Sequence, residues 1–171
     1  MKNEFKLEKV NIRLVPDAPI YSKTPITTPE EAIYMVADIL KDMDRECVCV
    51  INMSQRGYPI NVNIVSIGAI NYCVVHPADI FKSAILSNAT AMILVHNHPS
   101  GDVRPSREDI HVTDRLTQAG EIMGITLTDH VIVNPEVSKY FSIKTNETRL
   151  YTEREAKKDI NEEALINNFR R

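Results

Sequence analysis

At 171 residues, 43% of them hydrophobic and 25% charged, the chain is long enough for one domain with its own core and has the composition of an ordinary globular protein. No apolar run reaches the ~18 residues of a membrane-spanning helix, and the N-terminal MKNEFKLEK lacks the apolar stretch of a signal peptide, so a cytoplasmic protein is expected. The net charge of −3, with acids and bases interspersed, offers no basic stripe to a nucleic-acid backbone, and three cysteines, an odd number, argue against a disulfide framework.

In chain order, residues 1–27 mix charges with Pro16, Pro19 and Pro25 and read as an arm, in which Val10 to Val15 is apolar enough for one edge strand. Thr28-Pro29-Glu30-Glu31 then supplies an N-cap, a proline at the first helical position and a glutamate that closes a capping box. A helix is predicted from there to about Met43, burying Ala32, Val36, Ile39, Leu40 and Met43. Glu46 to Met53 is a core strand in which Cys47 and Cys49 serve as small buried side chains rather than as a thiolate metal pair. Past the turn at Ser54-Gln55-Arg56-Gly57, Ile60 to Val65 returns as its hairpin partner, and Tyr72 to Val75 suits a short strand.

Pro77 opens a second helix that runs to about Asn88. Ala91 to Val95 is a nearly continuous apolar run, the pattern of a strand buried on both faces. A third helix is predicted from Ser106 to about Met123, with Ile110, Leu116, Ala119 and Met123 inward and Gly124 as its stop. Strands follow at Ile125 to Val133 and Tyr140 to Ile143. The charged tail, residues 146–171, carries a capping box at Thr152 to Glu155 and a weakly amphipathic helix that could pair with a second copy.

The buried strand ends at His96-Asn97-His98, where two side chains at positions i and i+2 of an extended chain face one point. A hydrolytic zinc ion wants about three protein ligands, and Asp109 is the natural third. Ser106-Arg107-Glu108-Asp109 equally has the form of a helix cap, which gives both residues a purely structural role if no metal is present.

His-x-His followed, after seven residues, by Ser-x-x-Asp resembles the metal motif of the JAB/MPN+ (JAMM) metalloproteases. The texts HNHPSGD and PSREDI resemble the RadC-like branch of that superfamily, over about residues 28–145. The resemblance implies a single cytidine-deaminase-like JAB/MPN domain of the α/β (α+β) class, a mixed central sheet flanked by helices. It also implies one zinc per chain on His96, His98 and Asp109, and cleavage of a peptide or isopeptide amide. Glu46, after Arg45 and ahead of the core strand, matches the family's general acid/base, and burial there would raise its pKa towards a useful value. Ser106 takes the family's oxyanion-stabilising role, on the expectation that its cap bond leaves its own proton free.

Asp102 reads as a turn residue, His76 as a surface or capping residue, His111 as pointing away from the site and His130 as structural. The tripeptide spells HNH, but HNH nucleases resemble one another through residues spread over a ββα-metal fold. Two other classes stay open: a DNA-repair-associated or nuclease-like RadC protein, which the acidic balance disfavours, and a non-catalytic MPN interaction module, which the filled motif disfavours.

Overall fold

The computed structural model describes residues 11–17, 20, 22, 24–41, 43–68 and 75–152. Among the described residues, three helices and six strands follow one another as α1 (Pro29–Leu40), β1 (Cys47–Met53), β2 (Pro59–Ile67), α2 (Pro77–Leu86), β3 (Ala91–Asn97), α3 (Arg107–Met123), β4 (Thr126–Val133), β5 (Lys139–Ser142) and β6 (Glu147–Leu150). The strands form one mixed sheet in the order β2-β1-β3-β4-β5-β6. Among the described strands, only β3 and β4 run parallel, and α3 is the crossover between them.

The period-2 alternation of β1 divides the core into two layers. Cys47, Cys49 and Ile51 face α1, where they meet Ala32, Val36 and Leu40. Val48 and Val50 face α2 and α3, against Ile80, Phe81, Ala84 and Leu116. The sheet is thus covered on both sides, which explains why β1 and β3 read as nearly unbroken apolar runs. Cys47 and Cys49 are fully buried free thiols. Among the described residues, no helix is long and apolar enough to cross a membrane.

Both predicted capping boxes around the helices α1 and α3 form, on Thr28 with Glu31 and on Ser106 with Asp109. Gly124 ends α3 in the left-handed region at φ 69°, a conformation that costs glycine little. Three expectations need correction. Residues 11–17 belong to no strand, because their apolar side chains, Ile12 and Val15 among them, stay in solvent instead of gaining a core face. Ile110 and Met123 lie on the outer side of α3 at 40% and 39% exposure, so the buried stripe is narrower and runs through Asp109, Leu116 and Gly120. The sheet also continues past residue 145: β6 pairs antiparallel with β5, and Tyr151 is buried in the α1 layer. The expected strand residues Tyr72 to Val74, and the expected helix after Thr152 with its pairing role, lie outside the described residues.

Gly120 is where α3 touches the start of β4. A Cβ built there would stand 2.3 Å from the carbonyl oxygen of Ile125, a backbone atom that cannot swing aside. Gly120→Ala should therefore destabilise the fold by about 1–3 kcal/mol through overpacking. Urea denaturation of the two proteins measures the difference, and an unchanged midpoint would refute the close approach.

Candidate metal centre

Four side chains from three elements converge where β3 ends. The parallel pairing places the C-terminal end of β3 beside the N-terminus of α3, so His96 on the strand and His98 just beyond it meet Asp109 in the first helical turn. Glu46 enters from the residue before β1. One ligand atom from each of Glu46, His96, His98 and Asp109 lies within 4.8 Å of all the others, a grouping that could hold a metal ion. His96 Nε2 is 3.0 Å from His98 Nε2, 3.3 Å from Asp109 Oδ1 and 3.8 Å from Glu46 Oε1. His98 Nε2 is 3.5 Å from Asp109 Oδ2.

The chemistry of this donor set fits a cation. His98 Nδ1 lies 2.7 Å from the carbonyl oxygen of Asp102, which can only accept, so that nitrogen carries a proton. Two Nε2 atoms 3.0 Å apart, with carboxylates on two sides, must share either a proton or a metal ion. Asp109 is aimed by its helix cap: Ser106 donates both its backbone N–H and its hydroxyl to Asp109 Oδ2, each at 2.7 Å, and Oδ1 is left towards His96. This corrects one expectation. Ser106 Oγ does accept from the Asp109 N–H, but its own proton is not free; it goes to the Asp109 carboxylate.

Electrostatics follows from burial. His96, 1% exposed, is driven well below its ordinary pKa by burial and by the neighbouring His130 and His98, against the pull of Asp109. Burial also pushes down His98, but the hydrogen bond to Asp109, the bond to the Asp102 carbonyl and the nearby carboxylates outweigh it, so its pKa is raised. For Asp109 burial is again opposed, here by His98, His96 and Ser106, and the carboxyl stays well below the usual range. Glu46 moves the other way: burial raises it, with His98 opposing and Asp109 assisting.

Asp102 contributes its carbonyl, while its exposed carboxylate pairs with Arg104 at 2.6 Å and is not one of the four converging groups. His76 precedes α2 without a side-chain cap bond, and His111 is exposed. Asn97 and Thr113 escaped the sequence patterns, and His130, read there as structural, has partners that the sequence did not name. Asn97, fully buried between the two histidines, accepts from the Cys47 N–H at 2.8 Å and donates to the Arg45 carbonyl at 3.1 Å, gripping the peptides on both sides of Glu46. His130 Nε2 meets His96 Nδ1 at 2.8 Å, and His130 Nδ1 meets Thr113 Oγ1 at 2.7 Å. The central position of His-x-His could have suggested Asn97; only the strand register brings His130 near.

Asn97→Ala leaves a buried N–H and a carbonyl without their partner, and should cost about 2–4 kcal/mol in chemical denaturation; a loss within experimental error would refute the clamp. His130 is held down to about 4 by burial, with Asp109 opposing and His98 assisting. Its folded pKa lies below that of the unfolded chain, so its contribution to stability is intact above about pH 6.5 and is lost as pH falls towards 4, at up to ~1.4 kcal/mol per unit. Denaturation midpoints across that window test the sign. A His130→Gln protein with an equally steep decline would contradict it.

The model of the RadC-like JAB domain matches residues 26–148. The UPF0758 protein of Desulforamulus reducens is 43% identical over 127 residues, 74% of this chain and 55% of that protein. The UPF0758 protein of Desulforudis audaxviator is 44% identical over 119 residues, 70% of this chain and 51% of its own length. That of Caldanaerobacter subterraneus subsp. tengcongensis is 44% identical over 108 residues, 63% and 46% of the two chains. The chain spans about half the length of these curated relatives. A match over most of the chain, on a mixed sheet that presents a Glu, His, His, Asp cluster, makes this protein a member of the RadC-like JAB domain family.

Proposed function

We propose that the domain is a zinc-dependent hydrolase of amide bonds, with a peptide or isopeptide-linked protein as substrate. His96, His98 and Asp109 would hold one zinc per chain, with Glu46 as general acid and base. The observation that carries this reading is the Glu46 carboxylate, 22% exposed and raised in pKa, standing 3.8 Å from His96 Nε2 beside two imidazoles and a depressed carboxylate. The separations support it, because ligands on a tetrahedral zinc with bonds of about 2.0–2.1 Å stand roughly 3.3 Å apart, close to the 3.0 and 3.3 Å found here. Zinc held by these residues would supply a Lewis acid for the carbonyl and lower the pKa of a bound water to about 7.

The chain's own groups then complete the reaction. Glu46 takes a proton from the attacking water as the new C–O bond forms, and gives it to the departing nitrogen as the C–N bond breaks, so it ends as it began. A carboxyl with a raised pKa suits both halves, since it holds the proton long enough to deliver it. Ser106, whose hydroxyl stands beside the Asp109 carboxylate, would be the donor to the developing oxyanion. Rotation about its Cβ–Oγ bond moves the proton from Asp109 Oδ2 towards that oxygen, while the cap bond from the Asp109 N–H to Oγ is kept. We also place the protein in the cytoplasm, where a reducing medium suits the free thiols Cys47 and Cys49.

Elemental mass spectrometry of protein purified without chelator should find about one zinc per chain, and protein that takes up no zinc when offered it would end this reading. Screening peptide and isopeptide substrates follows. Glu46→Gln should keep the metal and lose at least ~100-fold in turnover, the scale of a missing general base; retained turnover would remove Glu46 from the chemistry. Activity needs the ionised carboxylate, so the acid limb of the pH profile should lie above the ordinary Glu value of 4.5.

A further inference from the structure

A buried line of side-chain hydrogen bonds connects the backbone of α3 to the back of His96, and its polarity follows from the one member that can only accept. Thr113 Oγ1 lies 2.7 Å from the carbonyl oxygen of Asp109, one turn earlier in the helix. The single hydroxyl proton must sit there, since otherwise two oxygen lone pairs would face each other at that distance. Thr113 therefore offers only a lone pair to His130 Nδ1, 2.7 Å away, and Nδ1 carries the proton of that ring. The His130 ring is buried and bonds Thr113 and His96, neither of them a carboxylate that could pair a cation, so the ring is held neutral and its Nε2 is bare. That nitrogen can only accept from His96 Nδ1, at 2.8 Å.

The consequence falls on the opposite edge of the His96 ring. With its proton on Nδ1, His96 presents a bare Nε2 to His98 and Asp109. We propose that His130, backed by Thr113, is a positioning residue that locks His96 in the Nδ1–H tautomer and so keeps its Nε2 ready to bind the metal. The opposite tautomer requires every proton in the line to reverse and leaves the Asp109 carbonyl facing a hydroxyl lone pair. The fold supplies the geometry: His130 pairs with Leu94, so it stands on β4 diagonal to His96 and on the same face of the sheet, beneath α3. Orientation of a ligating histidine by its second nitrogen is worth about 10- to 100-fold in metal affinity where it has been removed from metal sites.

The inference rests on the metal reading, but one of its readouts does not. Long-range 1H–15N correlation of the imidazoles in metal-free protein at neutral pH reports the His96 tautomer directly, and the Nδ1–H form is expected. Zinc affinity by chelator competition should fall about 10- to 100-fold in His130→Phe, which offers no acceptor. His130→Gln keeps an amide oxygen for His96 Nδ1 and should recover most of that loss, a rescue that a purely space-filling role would not give. Thr113→Val, an isosteric change, should weaken binding in the same direction by a smaller factor, and it carries the comparison if His130→Phe does not fold. An Nε2–H His96 in the wild-type protein overturns the proposal, as does wild-type affinity in both the His130→Phe and Thr113→Val proteins. Wild-type protein that takes up no zinc counts against the metal reading alone, and the tautomer then decides the role of His130.

Discussion

The centre depends on the pairing of β3 with β4. Two parallel neighbours cannot be joined by a tight turn, so the chain must leave the end of β3, cross one face of the sheet and return. The element that crosses is α3, and its first turn is obliged to lie near the strand end it has just left. Two histidines at that end and one aspartate in that turn therefore meet without any long-range coincidence. The antiparallel contact of β1 with the other side of β3 adds Glu46, because Val48 lies in register with His96.

Proximity alone would leave four polar groups competing for water and for one another. What fixes them is that the back of each group is engaged. Asp109 Oδ2 is taken by Ser106, His98 Nδ1 by the Asp102 carbonyl and His96 Nδ1 by His130. Asn97 holds the main chain on either side of Glu46. Each bond removes a rotamer or a tautomer that could turn the group away, at the cost of withdrawing polar atoms from solvent. The same capping box that starts α3 also aims its carboxylate, so a helix-initiation device and a carboxylate-orienting device are one set of atoms.

Local chemistry was legible in the sequence wherever it was written in consecutive residues. Thr28 and Ser106 announced their caps, Gly124 announced its stop, and the apolar run before His96 announced a central strand. Long-range placement was not. His130 comes near His96 only through the register of two strands separated by a 17-residue helix. Helical spacing suggested Ile110 and Met123 as inward residues, but it cannot say how wide a stripe the sheet will cover. The strand β6 was hidden because all four of its side chains are exposed, leaving no apolar alternation to betray it. Ser106 was recognised as a cap, while the destination of its proton depended on the rotamer of Asp109.

Gly120 gives the site a remote point of control. Its missing side chain lets α3 sit directly on the Ile125 carbonyl, and the Ile125 N–H bonds back to the Gly120 carbonyl at 2.9 Å. The helix is thereby pinned in both depth and rotation at one end. Asp109 lies eleven residues away along the same rigid rod, about 16 Å at 1.5 Å per residue. The arrangement is a lever: a small tilt at the pivot is delivered as a sideways displacement of the carboxylate, and so as a change in its distances to His96 and His98. Substitutions in the turn between α3 and β4 can thus detune the centre from a distance without touching any of its four side chains.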